Sequence, residues 1–224
     1  MKTTRMAVAG IAIAALSLAL AGCGAKTDTA KTDGAGPEST STSAAASGGP
    51  AIALNQYITD NDIAEYPVKD GDPGTPDFEF PFPPDWRPAG DLTPSWAYGA
   101  IIYDKAKDPD DPPFMYAIAA KLVGDVDPAK ILELAPAQLN QFPEFSPFGE
   151  PKKDTLGGFD AINYVGTYVE EGKPRSVGQQ TVVIPDKDAV FVLQLNAEAP
   201  EGQEDVVIEA FNLISEKTTI TLPS

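Results

Sequence analysis

The chain has 224 residues, of which 42% are hydrophobic and 22% charged, enough for one sizeable core once any targeting segment is set aside. Histidine is absent and cysteine occurs once, so His-based triads, His-ligated metals, Cys-rich zinc sites and internal disulfides are excluded by count. A formal charge of -17, from 33 acidic against 16 basic residues, repels phosphate backbones and argues against nucleic-acid partners.

Residues 1–22 read as an export signal. Lys2 and Arg5 precede an uncharged stretch from Met6 to Ala21, the layout of an n-region and h-region. Leu20-Ala21-Gly22-Cys23 follows and resembles a bacterial lipobox, in which small residues fit the signal peptidase and the Cys23 thiol takes a diacylglyceryl group. The 16-residue apolar stretch is short for a membrane span and ends at the cysteine. Acylated Cys23, carrying chains of the palmitate type, is therefore the expected membrane attachment, on the extracytoplasmic face of the cell membrane. Each buried methylene adds about 0.8 kcal/mol to such an anchor.

Residues 23–50 read as a tether. From Gly24 to Pro50 the chain is almost entirely Ala, Gly, Ser, Thr and Pro, with no aromatic, Val, Ile, Leu or Met to offset ordering entropy. A flexible chain of that length reaches roughly 30 Å, enough to lift a domain off lipid headgroups. The remaining residues, 51–224, read as one globular domain.

Within it, Leu54, Tyr57 and Ile58 predict a short helix to Asn61, and Asp70-Gly71-Asp72-Pro73-Gly74 predicts turns. Phe78, Phe80 and Phe82 alternate with Glu79 and Pro81, which predicts a strand ending at Pro83-Pro84. Strands are predicted over Trp96–Tyr103 and Phe114–Val123, with an exposed acidic loop between them. Asp127-Pro128 predicts a helix cap with proline at the first helical position, and Pro136 is placed to end that helix. Three strands follow, near Asp160–Val169, Arg175–Ile184 and Ala189–Asn196, joined by short turns as an antiparallel meander. A last helix over Glu204–Glu216 presents Val207, Ala210, Phe211 and Ile214 to the core, with a short strand over Thr218–Leu222. Continuous apolar runs at Val182-Val183-Ile184 and Val190-Phe191-Val192-Leu193 predict strands covered on both faces. The fold class expected is α+β, a mainly antiparallel sheet with helices on both faces.

The lipobox, the tether, Gly71-Asp72-Pro73-Gly74-Thr75-Pro76, Pro84-Asp85-Trp86, Asp108-Pro109-Asp110-Asp111-Pro112-Pro113 and the stretch from Thr181-Val182-Val183-Ile184-Pro185 to Gln194-Leu195-Asn196-Ala197 together resemble the LpqN lipoproteins of mycobacteria and relatives. The resemblance covers essentially the whole chain. It implies a Mog1/PsbP-like α/β/α sandwich, a place in the cell envelope, and accessory binding in envelope lipid metabolism or export. It carries no agreed catalytic residues.

The residues themselves call for no enzyme, cofactor or metal. An enzyme here would have to work without histidine, and no Gly-x-Ser-x-Gly elbow is present. Asp108, Asp110 and Asp111 lack the glycine and terminal Glu of a calcium loop and read as a solvated turn. More telling are amides inside apolar strands. With Pro185 paired to Asp188, Gln179 faces Gln194, Val177 faces Asn196, and the three amides share one sheet face; Asn163 joins them in one of the registers open to the preceding hairpin. Such amides are either a polar floor for sugar hydroxyls or a structural network satisfied within the protein.

Aromatics extend the candidate site. Trp86, Trp96, Tyr98 and Tyr164 are candidates for stacking on a sugar, and Phe142, Phe145 and Phe148 for lining an acyl groove, with core packing as the alternative for each. Two functions are thus expected of the domain. One is non-catalytic binding of an acylated sugar or another envelope lipid, with the acyl chain between helix and sheet and the headgroup at the amides. The other is docking on a membrane transporter, an envelope enzyme or a host protein.

Overall fold

The computed structural model describes residues 50–223. The expected signal sequence, the expected acylation site at Cys23 and all but the last residue of the expected tether lie outside these residues. In chain order the elements are α1 (Pro50–Asp60), β1 (Ala64–Val68), β2 (Asp77–Glu79), β3 (Trp86–Pro88), β4 (Gly99–Tyr103), β5 (Phe114–Val123), α2 (Pro128–Leu134), a 3₁₀ segment (Ala135–Gln141), β6 (Ser146–Pro147), β7 (Lys152–Leu156), β8 (Phe159–Glu170), β9 (Lys173–Pro185), β10 (Val190–Pro200), α3 (Glu204–Lys217) and β11 (Thr219–Thr221).

The principal sheet runs β3-β4-β5-β10-β9-β8-β6, with β1 also on β5 and β7 also on β8, and every pairing is antiparallel. Its centre is covered on both sides, as the continuous apolar runs of β9 and β10 require. One face carries Val182, Ile184, Phe191, Leu193, Leu195 and Ala197 under Ala210 and Ile214 of α3. The other carries Leu122, Val183 and Val190 under Leu54 of α1 and Ile131 of α2. The α+β sandwich expected from sequence is the observed architecture.

Several local signals hold. Asp127 caps α2, its carboxylate accepting from Ala129 N at 2.9 Å and Lys130 N at 3.4 Å, with Pro128 at the first helical position. We predict that Asp127→Ala costs about 1 kcal/mol in urea unfolding, because two helix-terminal N–H groups lose their acceptor. The α-helix ends at Leu134, just before Pro136, and the chain continues in the tighter 3₁₀ form.

Two expectations need correction. The Phe78–Phe82 alternation yields a strand only as far as Glu79; β2 pairs with β11 in a separate two-stranded sheet. Pro81, Pro83 and Pro84 have no N–H to extend a ladder. The β9–β10 hairpin also closes differently. Pro185 faces Val190, so Gln179 lies opposite Asn196 and Gln194 opposite Thr181. The shift is two residues, which changes every partner and leaves every side chain on its expected face.

Candidate functional site

The three amides that the sequence brings to one face meet there, and a fourth closes over them. Gln138, from the 3₁₀ segment, offers Oε1 to Gln194 Nε2 at 2.6 Å and to Gln179 Nε2 at 3.3 Å. Gln179 Nε2 also reaches Asn196 Oδ1 at 3.2 Å, Asn196 Nδ2 reaches Gln194 Oε1 at 3.3 Å, and Gln194 Nε2 reaches Thr181 Oγ1 at 3.4 Å. All five side chains are buried. They hydrogen-bond to one another as a connected network under the 3₁₀ segment. Gln138 was legible in principle: Ile131, Ala135, Gln138 and Leu139 fall at helical spacing, with the amide on the apolar side.

Asn163 is not part of this network. It pairs with Gln180, so its side chain lies on the opposite face, where Nδ2 donates to Asp154 Oδ2 at 2.7 Å. Tyr164 is opposite Gln179 and on the amide face, with Phe145 edge-on at 5.5 Å. Phe142 packs against Tyr168 at 4.6 Å. A Cβ at Gly166 would stand 2.5 Å from Ser146 O and 2.6 Å from Phe145 Cε2, so this glycine admits the proline-broken segment against β8. Phe142 and Phe145 thus cover the sheet, while Phe148 stays exposed. Trp86 is buried beside Tyr103, and Trp96, half-buried, is edge-on to Tyr116 at 5.5 Å.

A further buried polar group lies toward the end of β10. Tyr168 Oη donates to Glu198 Oε2 at 2.7 Å, and burial pushes the Glu198 carboxyl up from its ordinary range. Nearby, Arg175 Nη1 holds Asp111 at 2.7 and 2.9 Å, which ties the acidic loop to β9 and gives Asp111 a structural partner. Among the described residues no three acidic or cysteine side chains converge as a metal site.

The apolar cleft lies on the α3 face. It encloses about 380 Å³. Its floor is Gly99, Met115, Ala117 and Leu195 of the sheet, one wall is Ile214 of α3, and the other wall is Phe78, Phe80 and Phe82. The rings are fixed by mutual packing: Phe78 meets Tyr98 edge-on at 5.3 Å and Phe80 meets it at 6.3 Å. Prolines break the segment after Glu79, and that is what frees Phe80 and Phe82 to line a cleft rather than a strand. At the rim, Tyr98 Oη donates to Asp70 Oδ1 at 3.1 Å; burial, then the Asp70 carboxylate, pushes the phenol up to about 12, so it remains a donor. Gly99 explains the open floor. Its strand position faces the cleft, and a Cβ built there meets nothing within 4 Å. Of the candidate site residues, Tyr98 alone lines this cleft.

Among the described residues no helix is long and apolar enough to cross a membrane. The family profile described as probable lipoprotein LpqN matches residues 50–221. Lipoprotein LpqN of Mycobacterium tuberculosis (strain ATCC 25618 / H37Rv) is 48% identical over 175 residues, covering 77% of this chain and 75% of that protein. The crystal structure of LpqN involved in cell envelope biogenesis of Mycobacterium tuberculosis matches with a TM-score of 0.71 at 48% identity, over 75% of this chain and 96% of that one. Nearly the whole of that crystallised chain is matched by this one, and residues 49–224 form a compact unit of their own. The Saccharomyces cerevisiae Ran-binding protein Mog1p is more distant, at 12% identity and a TM-score of 0.42 over 70% of this chain and 95% of that one. The match across residues 50–221 and the 48% identity together establish that the chain belongs to the family of probable lipoproteins LpqN.

Proposed function

We propose that this is a lipid-anchored protein of the cell envelope whose domain holds the acyl chain of an envelope lipid, without catalysing a reaction on it, as an accessory to envelope lipid transport. The cleft beside α3 carries the reading. It is lined by aromatic and aliphatic side chains, has the size of a small-molecule site, and has one carboxylate–phenol pair at its rim. The relative's involvement in cell envelope biogenesis and the lipobox at Cys23 support the location. The acyl chain enters on the α3 face, and the headgroup meets Asp70 and Tyr98 rather than the amides, which lie on the other face and are already bonded to one another.

The test is native mass spectrometry of residues 50–224 after exposure to an envelope lipid extract. The expected result is a discrete stoichiometric adduct that Gly99→Leu abolishes, since the new side chain fills the floor of the cleft without meeting a neighbour at Cβ. The leucine removes a strand glycine, so the variant keeps its stability. A clean apo mass, or an adduct that Gly99→Leu retains, overturns the reading.

A further inference from the structure

A second cleft, of about 280 Å³, lies on the same sheet face beyond α3 and shares no lining residue with the first. Its floor is Gly178 and Ala197, and its helix side is Val207, Ile208 and Phe211. The third side is built by an irregularity at the sheet edge. Pro147 pairs with Gly166 and Lys152 with Asn163, so the four residues from Phe148 to Pro151 stand against only Tyr164 and Val165. A bulge of this kind re-aims side chains, and here it puts Phe148 at the cleft. Three large apolar side chains then converge while remaining open to solvent: Phe148 at 67% exposure, Ile208 at 54% and Val165 at 46%. Convergence, unlike a single exposed apolar residue, marks an interaction site.

A polar group in the cleft narrows the ligand. Asn163 lines it, and its amide orientation is set by Nδ2 donating to the Asp154 carboxylate at 2.7 Å. Its Oδ1 is buried with no hydrogen-bond partner among the described residues. An unmatched buried acceptor costs stability until a donor reaches it. The volume is below that of a drug-sized site and suits one large side chain rather than a whole lipid. The surroundings are acidic: Glu204 at the cleft, Glu150 in the bulge, and Asp205 and Glu209 exposed on α3, against Lys152.

We propose that this cleft between α3 and β8–β10 seats the tryptophan of a protein partner, its indole N–H donating to Asn163 Oδ1 and its flanking residues basic. Tryptophan combines a large apolar body with a single donor, which matches a cleft with apolar walls and, at Asn163 Oδ1, a buried acceptor without a partner among the described residues. Aromatic anchors in desolvated pockets carry most of the energy of such interfaces. The basic flanks answer the acidic rim and make binding weaken with salt. The site is independent of the acyl cleft and does not rest on that reading.

The probe is a capped pentapeptide with a central tryptophan between two pairs of lysines, titrated calorimetrically into residues 50–224. Three results are expected. Gly178→Leu weakens binding at least about tenfold, its Cβ fitting 3.4 Å from Val165 Cγ1 and its branches filling the cleft. Phe148→Ala, an exposed substitution that leaves the core intact, weakens it by about fivefold. Exchanging the peptide's tryptophan for phenylalanine costs about fivefold on the parent domain and nothing on Asn163→Ala, because only the parent has an acceptor to lose. Absence of binding by the tryptophan peptide, equal affinity for Gly178→Leu and Phe148→Ala, or equal affinity for a glutamate-flanked peptide overturns the proposal. So does retention of an acyl chain in this cleft.

Discussion

Replacing Glu65 with glutamine is expected to stabilise the domain by about 2–3 kcal/mol at pH 8 and to leave it nearly unchanged at pH 4.5. Glu65 lies on β1 opposite Leu122, at the margin of the cluster under α1 and α2, and burial pushes its carboxyl from 4.5 up to about 7. The sign follows from proton counting. Between the unfolded and folded values the native state binds the extra proton, so the contribution of Glu65 is fully present below about 4.5 and is lost as pH rises through 7. At pH 8 the native state carries a desolvated carboxylate that the unfolded chain hydrates freely. Glutamine has nearly the same shape and no charge to bury. Urea titrations of parent and Glu65→Gln at the two pH values measure the effect. The variant keeps a residual slope of the same sign, because burial also raises Glu198. Equal stabilities at pH 8 would show that Glu65 is hydrated in the native state.

Gln138→Leu should cost about 3 kcal/mol and lower the melting temperature by roughly 6–12 °C. The loss comes from what remains behind. Gln194 Nε2 is left with Thr181 Oγ1 at 3.4 Å, and Gln179 Nε2 with Asn196 Oδ1 at 3.2 Å, so two buried amides each lose an acceptor. The double variant Gln138→Leu/Gln194→Leu separates hydrogen bonding from packing. Removing both members of the shortest bond, at 2.6 Å, should cost at least about 1 kcal/mol less than the sum of the single costs. Simple additivity in thermal unfolding would mean that the amides are only packing neighbours. The same variants bear on function. The domain should retain its lipid adduct in Gln138→Leu, because the network and the apolar cleft occupy opposite sheet faces.

How much of this was legible beforehand depends on the range of the signal. β5 is predicted residue for residue, because it carries a long apolar strand pattern after a proline-rich loop. α2 is legible from Asp127, Pro128 and Pro136, each acting within four residues of itself. β1 is missed: Ala64-Glu65-Tyr66-Pro67-Val68 contains a proline, and only its pairing to β5 makes it a strand. β7 is missed for a similar reason, since Lys152-Lys153-Asp154-Thr155 has no apolar alternation and is held by β8 at the sheet edge.

The candidate site divides along the same line. Parity along a strand is a local property, so Gln179, Gln194 and Asn196 fall together even though the hairpin closes two residues away from the expected register. Their partner Gln138 comes from 41 positions earlier than Gln179, and sequence reasoning had no means of joining the two. The three phenylalanines between 142 and 148 look equivalent in the sequence. Two find Tyr168 and Tyr164 across the chain, and the third is turned outward by a bulge.

From sequence alone follow the composition-based exclusions, the order of most elements and the face that Gln179, Gln194 and Asn196 share. These depend on residue type and on periods of 2 and 3.6 residues, which a linear chain displays openly. Tertiary structure alone decided the register of the hairpins, the closure of the amide network and the two clefts beside α3. Each of these arises where segments far apart in the chain meet, and a cleft floored by Gly99 or Gly178 is defined by side chains that are absent, which no local pattern announces.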